Sequence, residues 1–230
     1  MEIRTKIIAT VGPSTLDFEN FSKIIDEGVD IIRFNSAYGD EEQYAKFVEY
    51  LDKIDKDVKL LFDIRTIETL EHFSFGSRKP DMIALSFTES GEQLKKIKEI
   101  MPVSNPIAKI ETKKGIENFD EILEECWGIM VARGDLGKTK SIERVPCLQK
   151  MMTKRTLEKK KFLIIATEML LSMVDKTEPT RAEASDVANA VFENACAVML
   201  SEETAVGNHP YECVKYMKSL IWHAENCEHV

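Results

Sequence analysis

Short apolar runs punctuate the chain at 5–11, 29–34, 58–62, 82–87, 106–110, 128–132, 162–166 and 197–200. Runs of this length, lacking the polar alternation of a half-exposed strand, predict strands buried on both faces, the pattern of a parallel sheet. Between them, apolar residues recur at three- and four-residue spacing, which predicts amphipathic helices. One passes through Phe18, Phe21, Ile24 and Ile25 and stops at Gly28; others span about 41–54, 92–101, 115–125, 147–158, 180–194 and 210–227. Gly12-Pro13-Ser14 after the first run is a turn and helix-start signal, and Thr180 is a helix-capping residue. The stretch 65–80 is the least regular, with room for one short helix around 68–72.

Strand and helix thus alternate about eight times with no linker and no repeat signature. That predicts a single-domain α/β fold, a TIM (β/α)8 barrel over residues 1–230. The competing arrangement is an open doubly wound sheet, but no G-x-G-x-x-G follows the first strand. Polar residues gather at the carboxyl ends of the predicted strands: Arg33 and Asn35, Asp63, Ser86, Lys109 and Glu111, Asp135, Thr167, and Ser201 with Glu203. A closed barrel brings them around one mouth, the face on which barrel active sites are built.

The densest chemistry lies at 107–137. Lys109 and Glu111 are two positions apart and so share a strand face. The next strand runs into Arg133-Gly134-Asp135, where Gly134 lets backbone amides approach a ligand and Asp135 adds a second carboxylate. A lysine, two carboxylates and an exposed amide turn suit a divalent metal and an anionic, oxygen-rich substrate.

Bulk properties narrow the partners. The net charge of −9 argues against a nucleic-acid groove and against a membrane-surface patch. The basic run Lys154, Arg155, Lys159, Lys160 and Lys161 reads as a solvated helix face. Five cysteines without a C-x-x-C indicate a reducing compartment and no disulfide framework, and the scattered histidines offer no zinc site. The charged N-terminus shows neither signal peptide nor membrane span, so a cytoplasmic location is expected.

Six stretches carry a family resemblance: R-T-K-I-I-A-T-V-G-P-S-T (4–15), K-I-E (109–111), G-I-M-V-A-R-G-D-L-G (128–137), A-T-E-M-L-L-S-M (166–173), P-T-R-A-E-A-S-D-V-A-N-A-V (179–191) and M-L-S-E-E-T-A (199–205). In this order and along the whole chain they resemble the catalytic barrel of pyruvate kinase. The resemblance implies phosphoryl transfer from phosphoenolpyruvate to ADP, with magnesium (or manganese) and potassium. By position, Glu111 and Asp135 match the divalent-metal ligands, and Lys109 matches the lysine that stabilises charge on the phosphoryl group and the enolate. Gly134 and Asp135 match the start of a short helix whose amides hold the substrate carboxylate. Thr167 matches the threonine beside the carbon that is protonated. Arg33 and Asn35, with Asp63, match the phosphate and monovalent-cation side. Ser86, Ser201 and Glu203 are further mouth residues.

Departures from the family pattern are equally specific. Asp63 is followed by Ile64-Arg65-Thr66 rather than threonine and K-G-P-E-I-R, and the next strand begins by Met82, so the lid domain is missing. The family's R-x-N-F-S-H-G reads R-F-N-S-A-Y-G at 33–39, placing Ala37 where a potassium-site serine stands and Tyr38 for a histidine near the nucleotide. Ile64 and Ala37 together remove two oxygens, so potassium is expected not to be required, with Arg65 free to fill the space. Glu202 replaces a glycine, and the family's C-terminal domain is expected to be absent. The expected function is a pyruvate-kinase-like enzyme acting on an enolpyruvate or pyruvate anion through a magnesium-stabilised enolate, with a depleted nucleotide side and weak or altered transfer to ADP. The alternatives are a pyruvate or oxaloacetate lyase or enolising enzyme, and a non-catalytic metabolite-binding or regulatory barrel. A homodimer through the later helices is expected from the apolar Met169, Leu170, Leu171 and Met173.

Overall fold

Each apolar run becomes a strand of one closed parallel sheet, ordered β1 to β8 around a barrel. A computed structural model describes residues 2–139 and 141–227, with the side chains of Asp135, Lys138 and Thr139 outside the description. In chain order the elements are β1 (Lys6–Thr10), α1 (Phe18–Glu27), β2 (Ile31–Asn35), α2 (Glu41–Asp52), β3 (Lys59–Ile64), α3 (Glu68–His72), β4 (Met82–Leu85), α4 (Gly91–Ile100), β5 (Asn105–Lys109), α5 (Lys113–Glu117) and α6 (Phe119–Glu125). They continue with β6 (Gly128–Ala132), α7 (Arg133–Thr139), α8 (Val145–Glu158), β7 (Phe162–Ala166), α9 (Arg181–Phe192), β8 (Ala197–Leu200), α10 (Glu202–Ala205) and α11 (Pro210–Glu225). The sheet closes where β1 pairs with β8, Lys6 opposite Ala197 and Ala9 opposite Leu200.

The period-two geometry of a strand explains both the core and the site. Ile8, Ile31, Leu61, Ala84, Ile107 and Met199 point inward and fill the barrel. Their neighbours, among them Ile7, Ile32, Phe62, Leu85, Ala108 and Leu200, point outward and pack under the helices. Two residues after each of those inward side chains stand Thr10, Arg33, Asp63, Ser86, Lys109 and Ser201. The polar mouth is therefore the next inward layer above an apolar one.

Helix boundaries follow local chemistry. Asp17 and Asp40 accept the amides of Asn20 and Gln43 at the starts of α1 and α2, and α1 stops at Gly28 with φ of 132°. Thr180 caps α9 reciprocally with Glu183, as the sequence led us to expect. The helix expected over 115–125 is interrupted at Asn118 into α5 and α6. The short α7 and α10 follow their strands directly, too brief to show an apolar period.

The 65–81 connection holds only α3, and aromatic packing fastens it. Phe73 and Phe75 lie 4.6 and 4.9 Å from Phe62, and 5.4 and 5.5 Å from Tyr44. Such edge and tilted ring contacts contribute roughly 0.5–1.5 kcal/mol each beyond area burial, enough to hold a short loop against the outer layer. Two expectations change here. Ile64 is buried in the outer cluster, so a threonine there would turn its hydroxyl away from the mouth, and the argument about lost potassium ligands rests on Ala37 alone. Arg65 is exposed with its guanidinium 5.7 Å from the Phe87 ring. Met169, Leu170 and Met173 are buried in the chain's own core, leaving Leu171 as the exposed member of the set on which the homodimer was expected. No helix among the described residues is long and apolar enough to cross a membrane.

Candidate active site

Four buried charges meet at the barrel mouth. Arg33, on β2, donates from Nε to Asp63 Oδ2 at 2.9 Å, with its Nη2 2.8 Å from the same oxygen and its Nη1 donating to Thr10 at 3.0 Å. Lys109, ending β5, lies 3.1 Å from Asp63 Oδ2, donates to Ser86 Oγ at 2.8 Å and stands 3.4 Å from Glu111 Oε1. Glu111 Oε2 accepts the Phe87 amide at 2.7 Å, and Ser86 Oγ lies 3.3 Å from Asp63 Oδ1. Asp63 and Glu111 are each 1% exposed. Burial alone would push the Asp63 carboxyl up, but the Lys109 and Arg33 charges and their hydrogen bonds outweigh it and hold the group below the ordinary carboxylate value.

Above this network opens a cavity of about 560 Å³, its wall including Arg33, Asn35, Tyr38, Lys109, Thr167 and Ser201. Among the described residues, Asp63, Ser86 and Glu111 are off that wall; they hold the two cations that form part of it. Asn35 Oδ1 accepts the Ala37 amide at 3.1 Å, and Ser36 donates to the Asp63 carbonyl at 2.8 Å. Arg33, Asn35, Asp63, Ser86, Lys109, Glu111, Thr167 and Ser201 are thus gathered at one end of the barrel. Gly134 lies in the first turn of α7, packed so closely that a Cβ there would stand 2.8 Å from Thr167 Cγ2. Asp135 is in the same helix, with its carboxylate outside the described residues.

Thr167 and Glu168 adopt φ of 74° and 56°. Left-handed backbone is rare for any residue but glycine, and a β-branched one there is an outlier that costs on the order of 1–3 kcal/mol. Two features here escape a sequence reading. Thr10 is legible only as the inward position after Ile8. Arg133, inside a quoted motif, shows its importance only through partners on β7 and α9.

Glu203 does not join the mouth. The strand ends at Leu200 and α10 begins at Glu202, so Ser201 reaches the cavity while Glu203 turns into the outer layer, 0% exposed. Its oxygens accept the Leu170 amide at 3.0 Å and the Ser201 amide at 2.7 Å, tying the loops after β7 and β8 together. Burial raises its pKa above 4.5, more than the hydrogen bonds from backbone amides lower it. For a group raised on folding, the stabilising contribution is complete below the unfolded pKa and lost as pH rises through the folded one. Glu203→Gln is therefore expected to remove a fall in stability with rising pH that the parent shows from about pH 4 upward, read as urea midpoints of both proteins across that range.

Comparison with known proteins agrees with this geometry. The family model described as "Pyruvate kinase, barrel domain" matches residues 2–72 and 66–214, two stretches that meet in the β3–β4 connection. Pyruvate kinase of Chlamydia trachomatis serovar D is 43% identical over 176 residues, covering 74% of this chain and 36% of the relative. That of Thermotoga maritima is 31% identical, covering 96% of this chain and 71% of the relative. That alignment runs over 333 positions against the 230 residues here, so the relative carries residues this chain lacks. The Thermoplasma acidophilum pyruvate kinase is 27% identical over 97% of this chain. The chain spans about a third of the length of the Chlamydia relatives it matches.

Proposed function

Since the chain belongs to the pyruvate kinase family through its barrel domain, we propose that it acts on phosphoenolpyruvate or pyruvate through an enolate, with transfer to ADP weak or altered. The observation that carries the reading is Lys109, a mostly buried ammonium on the cavity wall fixed by Asp63, Ser86 and Glu111. A cation held in place at a desolvated mouth stabilises charge as it develops, without reorganising. Arg33 adds a second fixed charge for a phosphate, and Thr167 lines the same cavity. The short β3–β4 connection supports a weakened kinase, because excluding water from phosphoryl transfer ordinarily needs a closing element.

The donor chemistry fits magnesium or manganese. Glu111 offers hard carboxylate oxygens beside Lys109, and Asp135 follows in α7. No group of three or more metal-ligating side chains occurs among the described residues, so water and substrate oxygens would complete the coordination. When bound, the metal supplies a Lewis acid for the enolate oxygen.

The direct test is NMR of pyruvate in D₂O with the protein and magnesium. Loss of methyl-proton signal supports enolisation, and an inert solution rejects it; phosphoenolpyruvate with ADP then reports whether phosphoryl transfer accompanies it. For the metal, Glu111→Ala and Asp135→Ala are each expected to abolish the manganese-dependent thermal shift seen with oxalate, a planar enolate mimic. An undiminished shift in both variants would remove the site. Activity is also expected to be independent of potassium, since Ala37 has no side-chain oxygen to donate. Titrating KCl against tetramethylammonium chloride at constant ionic strength checks this, as screening acts equally in both arms; saturable stimulation by potassium alone would contradict it.

A further inference from the structure

We infer that Arg133 and Asp186 are positioning residues: together they clamp the left-handed turn that presents Thr167 to the mouth. The importance of Thr167 to the reaction rests on the enolate reading above; the clamp itself does not. Consecutive left-handed residues that are not glycine persist only where surrounding structure over-determines them. Here the surroundings converge on one guanidinium. Arg133 donates from Nε to the carbonyls of Ala166 and Thr167 at 3.2 and 3.1 Å. Its Nη2 donates to the Thr167 carbonyl again at 2.6 Å and contacts Met169 Sδ at 3.0 Å. The remaining arm, Nη1, pairs with Asp186 on α9.

The division of labour follows from the side chain. A guanidinium is a planar fork with five donors, so one residue can bind two adjacent carbonyls and a carboxylate along separate fixed directions, where a lysine offers three donors from a single nitrogen. Asp186 neutralises a charge that is otherwise mostly buried and fixes the plane of the fork; the Arg133 side chain is 11% exposed. From the other side Gly134 forms a floor without a Cβ, against which the Thr167 methyl sits. Glu203 takes the Leu170 amide just beyond. Thr167 is stiff at χ1, so its hydroxyl follows wherever the backbone aims it. A clamp on the carbonyl side therefore sets the direction in which Thr167, on the cavity wall, carries its hydroxyl.

The experiment compares the parent with Asp186→Ala, Glu168→Gly and the double variant. Asp186→Ala is expected to lower pyruvate proton exchange at saturating pyruvate by about a hundredfold, the scale of a small misplacement of a reacting group. The manganese–oxalate thermal shift should persist, because Glu111 is untouched. Glycine adopts a positive φ without penalty, so Glu168→Gly is expected to leave the parent's activity unchanged and to restore about tenfold or more of the activity lost in Asp186→Ala. An ion pair that merely stabilised the fold would not be rescued by relaxing the turn. Amide hydrogen exchange over 164–172 gives an independent reading: in Asp186→Ala it should rise there while the remainder of the barrel keeps the parent's protection. Unchanged exchange at the turn, a uniform rise along the chain, or a double variant no better than Asp186→Ala overturns the clamp. A parent that does not exchange pyruvate protons defeats the enolate reading instead, and amide exchange alone then decides the clamp.

Discussion

Lys109→Met is expected to cut pyruvate proton exchange by about a hundred- to a thousandfold, the usual loss when a preorganised charge-stabilising group is removed. Methionine keeps the length and apolar stem of lysine, so the variant isolates the ammonium. Arg33 is anchored through Nε and Nη2 to Asp63 and through Nη1 to Thr10, so it keeps its own place on the wall rather than moving into the one Lys109 leaves. Glu111 keeps its bond from the Phe87 amide, so the manganese–oxalate thermal shift should remain measurable while turnover disappears. A variant that lost oxalate binding but kept its rate would contradict the assignment. The same substitution removes one of the charges that hold the Asp63 pKa down. A depressed carboxylate contributes stability above its unfolded pKa, and that stability is lost as pH falls through the folded value. Lys109→Met should therefore show a smaller acid-dependent loss than the parent.

Asp63→Asn is expected to be the most damaging single change to stability. Asparagine preserves shape and removes the charge, leaving the Arg33 and Lys109 cations buried without their shared counter-ion. Breaking a buried pair from one side typically costs about 3–5 kcal/mol, out of a total of about 5–15 kcal/mol for a domain. Urea unfolding at neutral pH measures the loss directly. Removing a cation alongside, as in Arg33→Met with Asp63→Asn, should cost less than the sum of the two single changes, because Lys109 and Glu111 then balance and no net charge is left uncompensated. Strict additivity would show that the network is not energetically connected.

The barrel was legible because inner strands of a parallel sheet must be apolar on both faces, which leaves continuous runs at every strand position. The site was legible as far as strand periodicity reaches. Lys109 and Glu111 meet although β5 ends at Lys109, because the chain goes on pairing with β6 past that point, the Ile110 amide donating to the Met130 carbonyl. Ser201 and Glu203 have the same spacing but separate, because a helix starts between them. Ile64 shows the converse: its place in a motif suggested a cation ligand, while its parity on β3 turns it toward the helices. Arg133 could be named from sequence but not understood, since Asp186 lies 53 positions away on another helix. Such pairings depend on how helices dock on the sheet, which no local pattern encodes.

The seam between β1 and β8 bears on how the molecule reaches this state. There the Thr10 hydroxyl meets the Leu200 carbonyl across a separation of 190 positions. Lengthening a loop adds little to its closure cost, about 0.6 kcal/mol per doubling, so the seam is thermodynamically cheap. Kinetically it comes late, because contacts this distant in sequence form slowly. Until residues 197–200 arrive, β1 and β7 each present an unpaired, largely apolar edge, the template on which chains join one another. Substitutions that loosen the mouth would reopen that edge, so aggregation during refolding, more than loss of turnover, is where they would first be felt.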